Sequence, residues 1–203
     1  MIEAQLDAGF ESGSGFREAF ARTFGDAPNK SRAAQAFAMD WIDTPLGPMF
    51  AVADDTHLHM LEFVERKKLE EHVNRYRRQF NATVLPGDTK ALKLFRKELA
   101  VYFAGKTLHF ISKIAGAGTD FQNQVWDELR KIPPGVTRSY QEMAQRIGRP
   151  TAMRAVANAN RLNRCAIILP CHRVIGANGT LTGYAGGLWR KQHLLDLERG
   201  QGT

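Results

Sequence analysis

The chain has 203 residues, 43% hydrophobic and 24% charged, a globular composition that excludes a disordered or fibrous protein. Its 28 Lys and Arg against 21 Asp and Glu leave a net charge of +7, which favours a polyanionic partner, nucleic acid ahead of an acidic membrane surface. No apolar run approaches the ~20 residues of a membrane span, and the two cysteines, Cys165 and Cys171, are too few for a disulfide scaffold or a four-thiolate zinc site.

Residues 1–32 read as two short helices, 2–8 and 15–24, the second with Phe16, Ala19, Phe20 and Phe24 on one face. The first segment is acidic and lacks the apolar stretch of a signal peptide, so a reducing cytoplasm is expected. Residues 36–42, Met49–Ala53 and Leu58–Phe63 read as short strands, with turns at 44–48 and 54–55. A charged helix follows over 67–80, and its Arg75, Arg77 and Arg78 are read as a solvated face rather than a DNA contact. Residues 89–103 form a better amphipathic helix, closed by Gly105. Gly116-Ala117-Gly118 marks a boundary.

Beyond it the period becomes helical over 121–131, 139–147 and 151–162. An extended apolar stretch is expected over 165–169. A hairpin of 173–175 with 180–182 is expected about Asn178-Gly179, and a last helix over Leu188–Glu198. The expected fold is therefore α+β. A small N-terminal α/β domain at 33–115, with a short antiparallel sheet plus helices, precedes a mostly helical domain at 116–203.

The helices 139–147 and 151–162, joined by a short glycine-containing turn, have helix-turn-helix spacing. The second carries Ala152, Ala155, Ala157 and Ala159, and Arg154 is the one long cation near its start. Such a helix either presses close to a DNA groove or packs in a core, and spacing alone does not separate the two. Pro170-Cys171-His172-Arg173-Val174 sets a thiol beside an imidazole. A thiolate nucleophile needs a base, and the base an orienting group. A bridging water is one route between Cys171 and His172, and Asp196 and Glu198 are the carboxylates available to orient the ring. The bland alternative is a buried structural cysteine beside a satisfied histidine. Cys165 is one such structural candidate.

Residues ~119–198 resemble the catalytic domain of the O6-alkylguanine-DNA alkyltransferases, the methylated-DNA–protein-cysteine methyltransferases. The resemblance rests on Thr119-Asp120-Phe121-Gln122, Val125-Trp126, Ile132-Pro133, Ser139-Tyr140, Arg154-Ala155-Val156 and Asn160 with Asn163. It continues through Pro170-Cys171-His172-Arg173-Val174-Ile175, Gly183-Tyr184-Ala185-Gly186-Gly187 and Lys191 with Leu194-Leu195. Upstream, Thr44-Pro45-Leu46-Gly47 and Tyr102-Phe103 with Gly105 resemble the family's smaller N-terminal domain.

The resemblance implies a DNA repair protein that moves an alkyl group irreversibly from O6 of a flipped-out guanine to Cys171, once per molecule. His172 would be the base acting through water, Glu198 its orienting carboxylate, Asn163 the brace of the active-site turn, and Tyr140 the phenol that hydrogen-bonds the departing guanine. Arg154 would take the extruded base's place in the duplex. Ala152, Met153, Ala155 and Ala157 would meet the minor groove beside it, with Tyr140 also at the DNA. Tyr184, Ala185, Gly186, Val174 and Ala166 would line the base pocket. The implied partner is double-stranded DNA containing O6-alkylguanine, bound largely without sequence preference by a monomer. No cofactor, metal or membrane is implied, because the damaged DNA is itself the alkyl donor. Two readings of another class stand beside this one: a lesion sensor that binds alkylated DNA without repairing it, and a transcription regulator of the adaptive response.

Some family members bind zinc through N-terminal cysteines, which this chain lacks before Cys165. Segments 8–12, 16–20 and 24–28 resemble the end of an AraC-type DNA-binding domain, as in bifunctional Ada-type proteins. Only about the last helix-turn-helix unit of such a domain is represented, so little promoter-specific activation is expected. Ala166 and Ala185 stand where some members carry Pro and Ser, and the smaller side chains predict a roomier pocket. O6-benzylguanine DNA should accordingly be repaired as well as O6-methylguanine DNA; complete exclusion of the benzyl substrate in a rate comparison would refute the roomier pocket.

Overall fold

The computed structural model describes residues 35–66, 69–116 and 118–200. The helices and AraC-like segments expected within 1–32 lie outside these residues. Strands β1 (Gln35–Ile42), β2 (Met49–Ala53) and β3 (Leu58–Phe63) are followed by helix α1 (Leu69–Phe80), strand β4 (Ala82–Pro86) and helix α2 (Lys90–Phe103). The sheet order is β3-β2-β1-β4. β1 and β2 pair antiparallel, as do β2 and β3, while β4 runs parallel to β1.

The expected antiparallel sheet is thus corrected to a mixed one, and β4 was absent from the sequence reading. Its five residues end in proline and show no strong alternation. It becomes a strand because Asn81, with φ 45°, turns the chain sharply out of α1 and back beside β1. β2 and β3 are buried along their whole length, so the usual in–out alternation is lost. One face, with Phe37, Met39, Phe50, Val52 and Met60, packs under Val73 and Tyr76 of α1. The other face, with Met49, Ala51, Leu61 and Phe63, joins Leu92, Phe95 and Leu99 of α2 in the main core. Thr89 caps α2 by accepting a hydrogen bond from the Leu92 amide at 3.1 Å.

That core continues into the C-terminal helices α3 (Asp120–Arg130), α4 (Tyr140–Arg146), α5 (Met153–Arg161) and α6 (Leu188–Glu198). Helices α3 and α4 each begin with a capping box, Thr119 with Gln122 and Ser139 with Glu142. Val125, Leu129, Met143, Ala144, Val156 and Ala159 form the core of this helical part. Trp126 adds a hydrogen bond from its indole Nε1 to the Ala159 carbonyl at 3.0 Å.

The two parts join along the outer edge of β3. The Leu58 amide donates to the Lys113 carbonyl at 2.8 Å, and the Leu61 amide to the Arg164 carbonyl at 2.7 Å. Residues 165–169 are therefore not the extended strand expected. Only Cys165 bridges Leu61, and the chain then coils through tight turns in which Ile167 has φ 70°. Pro170 precedes a single 3-10 turn, Cys171–Arg173. The expected hairpin is also replaced. Asn178-Gly179 does form a turn, but strand β6 (Val174–Ile175) pairs parallel with β5 (Arg138–Ser139) rather than with 180–182. A turn signal specifies the reversal and not the ladder, and here the residues before α4 reach β6 first.

Candidate active site

The loop, the 3-10 turn and the end of α6 bring Asn163, Cys171, His172 and Glu198 together. The Asn163 carboxamide donates from Nδ2 to Cys171 Sγ at 3.1 Å and to the Leu169 carbonyl at 2.9 Å, and its Oδ1 accepts from the Cys165 amide at 2.9 Å. One side chain thus clamps both ends of the tight segment that carries the thiol.

His172 is wholly buried, and its Nε2 meets Glu198 Oε1 at 2.9 Å. Glu198 also accepts from Arg173 Nε at 2.8 Å, Arg173 Nη2 at 2.7 Å, the Tyr102 hydroxyl at 2.9 Å and the Gly135 amide at 3.3 Å. Burial alone would raise the carboxyl pKa, but the hydrogen bonds and charges of His172 and Arg173 outweigh it and hold Glu198 well below the usual carboxylate range. An ionised Glu198 places the ring proton on Nε2 and leaves Nδ1, which has no partner within the protein, as a free base. Of the two candidate carboxylates, Asp196 does not reach the ring; its carboxylate accepts from Gln192 on the same helix at 2.8 Å.

Burial favours the neutral thiol and the neutral imidazole. Burial pushes the Cys171 thiol up, opposed by the Asn163 hydrogen bond and by the charges of Lys191 and Arg66. Burial likewise lowers His172, opposed by Glu198. No direct hydrogen bond joins the imidazole to Sγ. The other thiol, Cys165, is driven up to about 12 by burial, which leaves it inert.

Cys171 opens onto a cavity of about 490 Å³. Tyr140, Ala157, Ala166, Tyr184, Ala185 and Gly186 line it; the resemblance had put Ala166, Tyr184, Ala185 and Gly186 at the base pocket, Tyr140 at the departing guanine and the DNA, and Ala157 at the DNA. Val174 does not line it and is corrected. Its side chain is fully buried, because β6 turns it into the core, while its carbonyl accepts from Lys191 Nζ at 2.6 Å. The Tyr140 hydroxyl stands at the rim, 3.4 Å from the Thr182 carbonyl and 3.5 Å from that of Gly183. Glycine is required at 186: a Cβ there would stand 2.7 Å from the Phe63 ring.

Sequence reasoning missed two cations that hold this pocket. Arg190 donates to the Gly186 carbonyl at 2.8 Å and to the Leu46 carbonyl at 2.7 Å, with its guanidinium between the rings of Phe63 and Trp189. Arg66, ion-paired with buried Glu62, donates to the Arg161 carbonyl at 2.7 Å and to the Asn163 carbonyl at 3.1 Å, so it caps the end of α5. No short motif marks either residue, because Arg190 reaches Leu46 and Arg66 reaches Arg161 and Asn163, backbone far away in sequence.

Helix α5 answers the choice left open by its spacing. Val156 and Ala159 face the core and Asn160 is buried at the cavity wall, whereas Met153, Arg154 and Ala155 are exposed and Ala152 and Ala157 are half-buried. Its exposed positions are Met153, Arg154, Ala155, Asn158 and Arg161, and Ala157, Asn158, Asn160 and Arg161 wall the thiol pocket. A half-buried cysteine, oriented by a carboxamide at the wall of a cavity beside an exposed helix face, defines the class: a protein with a candidate cysteine nucleophile.

The comparisons identify the family. Residues 39–114 match the ribonuclease-like domain, and residues 120–200 the DNA binding domain, of 6-O-methylguanine DNA methyltransferase. The methylated-DNA–protein-cysteine methyltransferase of Methanosarcina barkeri is 45% identical over 163 residues, 78% of this chain and 95% of its own length. That of Mycobacterium tuberculosis is 43% identical over 158 residues, 78% of this chain and 90% of its own. The crystal structure of M. tuberculosis OGT in complex with DNA superposes with a TM-score of 0.69 at 40% identity, covering 83% of this chain and 95% of that one. The chain belongs to the 6-O-methylguanine DNA methyltransferase family.

Replacing Glu198 by Gln removes the charge that holds Arg173 and orients His172. The variant should lose about 3–5 kcal/mol in urea unfolding at neutral pH. The depressed carboxyl contributes stability that is present above its unfolded pKa of about 4.3 and lost as pH falls toward its folded value. The difference between wild type and Glu198→Gln should therefore narrow below about pH 4; a constant difference across that range would contradict the assignment.

Proposed function

We propose that this protein repairs DNA by direct reversal, moving the alkyl group of O6-alkylguanine in duplex DNA onto its own Cys171. The observation that carries the reading is the Cys171 thiol, fixed by Asn163 at the wall of the cavity and backed by the His172–Glu198 pair, in a chain of this family. His172 Nδ1 takes the thiol proton through a bridging water. The thiolate attacks the alkyl carbon, the S–C bond forms, the C–O6 bond breaks, and its electron pair passes to the guanine oxygen. The Tyr140 hydroxyl at the rim hydrogen-bonds the base as it takes up a proton and leaves. The thioether does not revert, so each molecule acts once. The alkyl donor is the DNA, and no step calls for a cofactor.

The reacting carbon is out of reach in a stacked duplex, so the base is flipped at a cost of a few kcal/mol. The exposed face of α5, with Met153, Ala155 and its half-buried neighbours Ala152 and Ala157, suits the minor groove, and Arg154 suits the vacated stack. Helices α4 and α5 serve as the helix-turn-helix. Damage falls at any guanine, and the charge of +7 supplies backbone attraction without sequence preference. The protein works as a monomer, and its free thiols suit a reducing compartment such as the cytoplasm. Among the described residues no helix is long and apolar enough to cross a membrane. A lesion sensor has no use for an oriented thiol at the pocket wall, which disfavours that alternative.

Incubation with O6-methylguanine DNA should add about 14 Da to Cys171, the residue whose thiolate is the nucleophile. Intact-mass and peptide mass spectrometry read this directly, and no gain removes the proposal. Cys171→Ala should abolish transfer yet still bind DNA in a gel shift. Arg154→Ala should slow transfer from duplex DNA about tenfold or more, and transfer from a short single strand far less, because only the duplex demands flipping.

A further inference from the structure

Two polar groups in the wall of the thiol cavity are left without partners. Asn160 is only 6% exposed, and neither its Nδ2 nor its Oδ1 has a hydrogen-bond partner within the protein. The Tyr184 hydroxyl is likewise buried and unpartnered. Both residues line the same cavity as Cys171. A buried polar group left unsatisfied costs about 1–3 kcal/mol, so a fold keeps one where something else will pair with it. The remaining polar groups of that wall are committed. Asn163 spends its carboxamide on Sγ, Leu169 and Cys165, and Glu62 and Arg66 pair with each other. An apolar residue at 160 would pack there at no polar cost.

From this we infer that Asn160 and the Tyr184 hydroxyl determine substrate specificity by recognising a hydrogen-bonding atom on the O6 substituent itself. The inference rests on the transfer reaction proposed above. In-line attack places the transferred carbon at Cys171 Sγ, so any further atoms of the substituent project along the buried wall. The base itself lies toward the rim, at the Tyr140 hydroxyl, which here rests on the Thr182 and Gly183 carbonyls. Ala166, small and buried in the same wall, leaves room for atoms beyond the first carbon. The wall then favours a substituent such as 2-hydroxyethyl over propyl, which has the same number of heavy atoms but leaves both protein groups unpaired. The chemistry is otherwise unchanged: an S–C bond forms, the C–O6 bond breaks, and the product is S-(2-hydroxyethyl)cysteine.

The test compares transfer rates from duplexes carrying O6-(2-hydroxyethyl)guanine and O6-propylguanine, with an O6-methylguanine duplex as reference, in wild type, Asn160→Leu and Tyr184→Phe. Wild type should favour hydroxyethyl over propyl by about tenfold, and each variant should bring that ratio toward one, since a site with buried polar groups rejects a partner that cannot satisfy them. Asn160→Leu should melt no lower than wild type, because it removes an unpaired polar group at similar volume. An unchanged ratio in both variants overturns the inference. So does an equal loss on all three duplexes, which would assign the two groups to the base, or a large fall in melting temperature for Asn160→Leu, which would make it structural. Absence of transfer from every duplex by wild type overturns both this inference and the proposed reaction.

Discussion

The buried carboxylate of Glu198 is the point on which the rest of the structure depends. A carboxylate sealed from water is costly unless its lone pairs are filled. Here five hydrogen bonds fill them, from Tyr102 on α2, Gly135 before β5, His172, and Arg173 twice. Those donors come from both parts of the chain. The charge that orients the imidazole therefore also holds α2 and α6 in place. Tyr102 is itself pushed above the usual phenol range, by burial first and then by the carboxylate, which keeps it a neutral donor.

The thiol is set by a second, independent clamp. Asn163 holds the turn from within, and Arg66 holds the Asn163 backbone from the sheet. Arg190 and Lys191 do the same for the pocket loop, one from each side of the Gly186 region. The segment that follows β3 thus braces the Cys171 turn, through the Arg161 and Asn163 carbonyls. Burial pushes the Cys171 thiol up and the His172 imidazole down, which favours the neutral form of both.

Much of the local structure was legible along the chain. Apolar periodicity located every helix among the described residues to within about two positions, because amphipathic helices carry their burial pattern in sequence. Three strands were legible as short apolar runs between turn residues. β4 was not, because a five-residue edge strand ending in proline owes its pairing to its neighbour β1 rather than to its own pattern. The loop 165–169 misled in the other direction. Its apolar run reads as extended, yet the clamp from Asn163 coils it, and Ile167 accepts a left-handed backbone that its own preference disfavours.

The chemistry of the site divides in the same way. The sequence by itself determined the Cys171 thiol, its neighbouring imidazole, the small-residue helix and the charge, since each is a property of residue type or short spacing. Only the tertiary structure decided that Val174 faces the core, that Arg66 and Arg190 brace the pocket, and that Asn160 lies unpaired in its wall. Those facts depend on which surfaces the packed sheet and helices bring within hydrogen-bond distance, across separations of up to 144 residues in the chain. A local pattern carries no record of them.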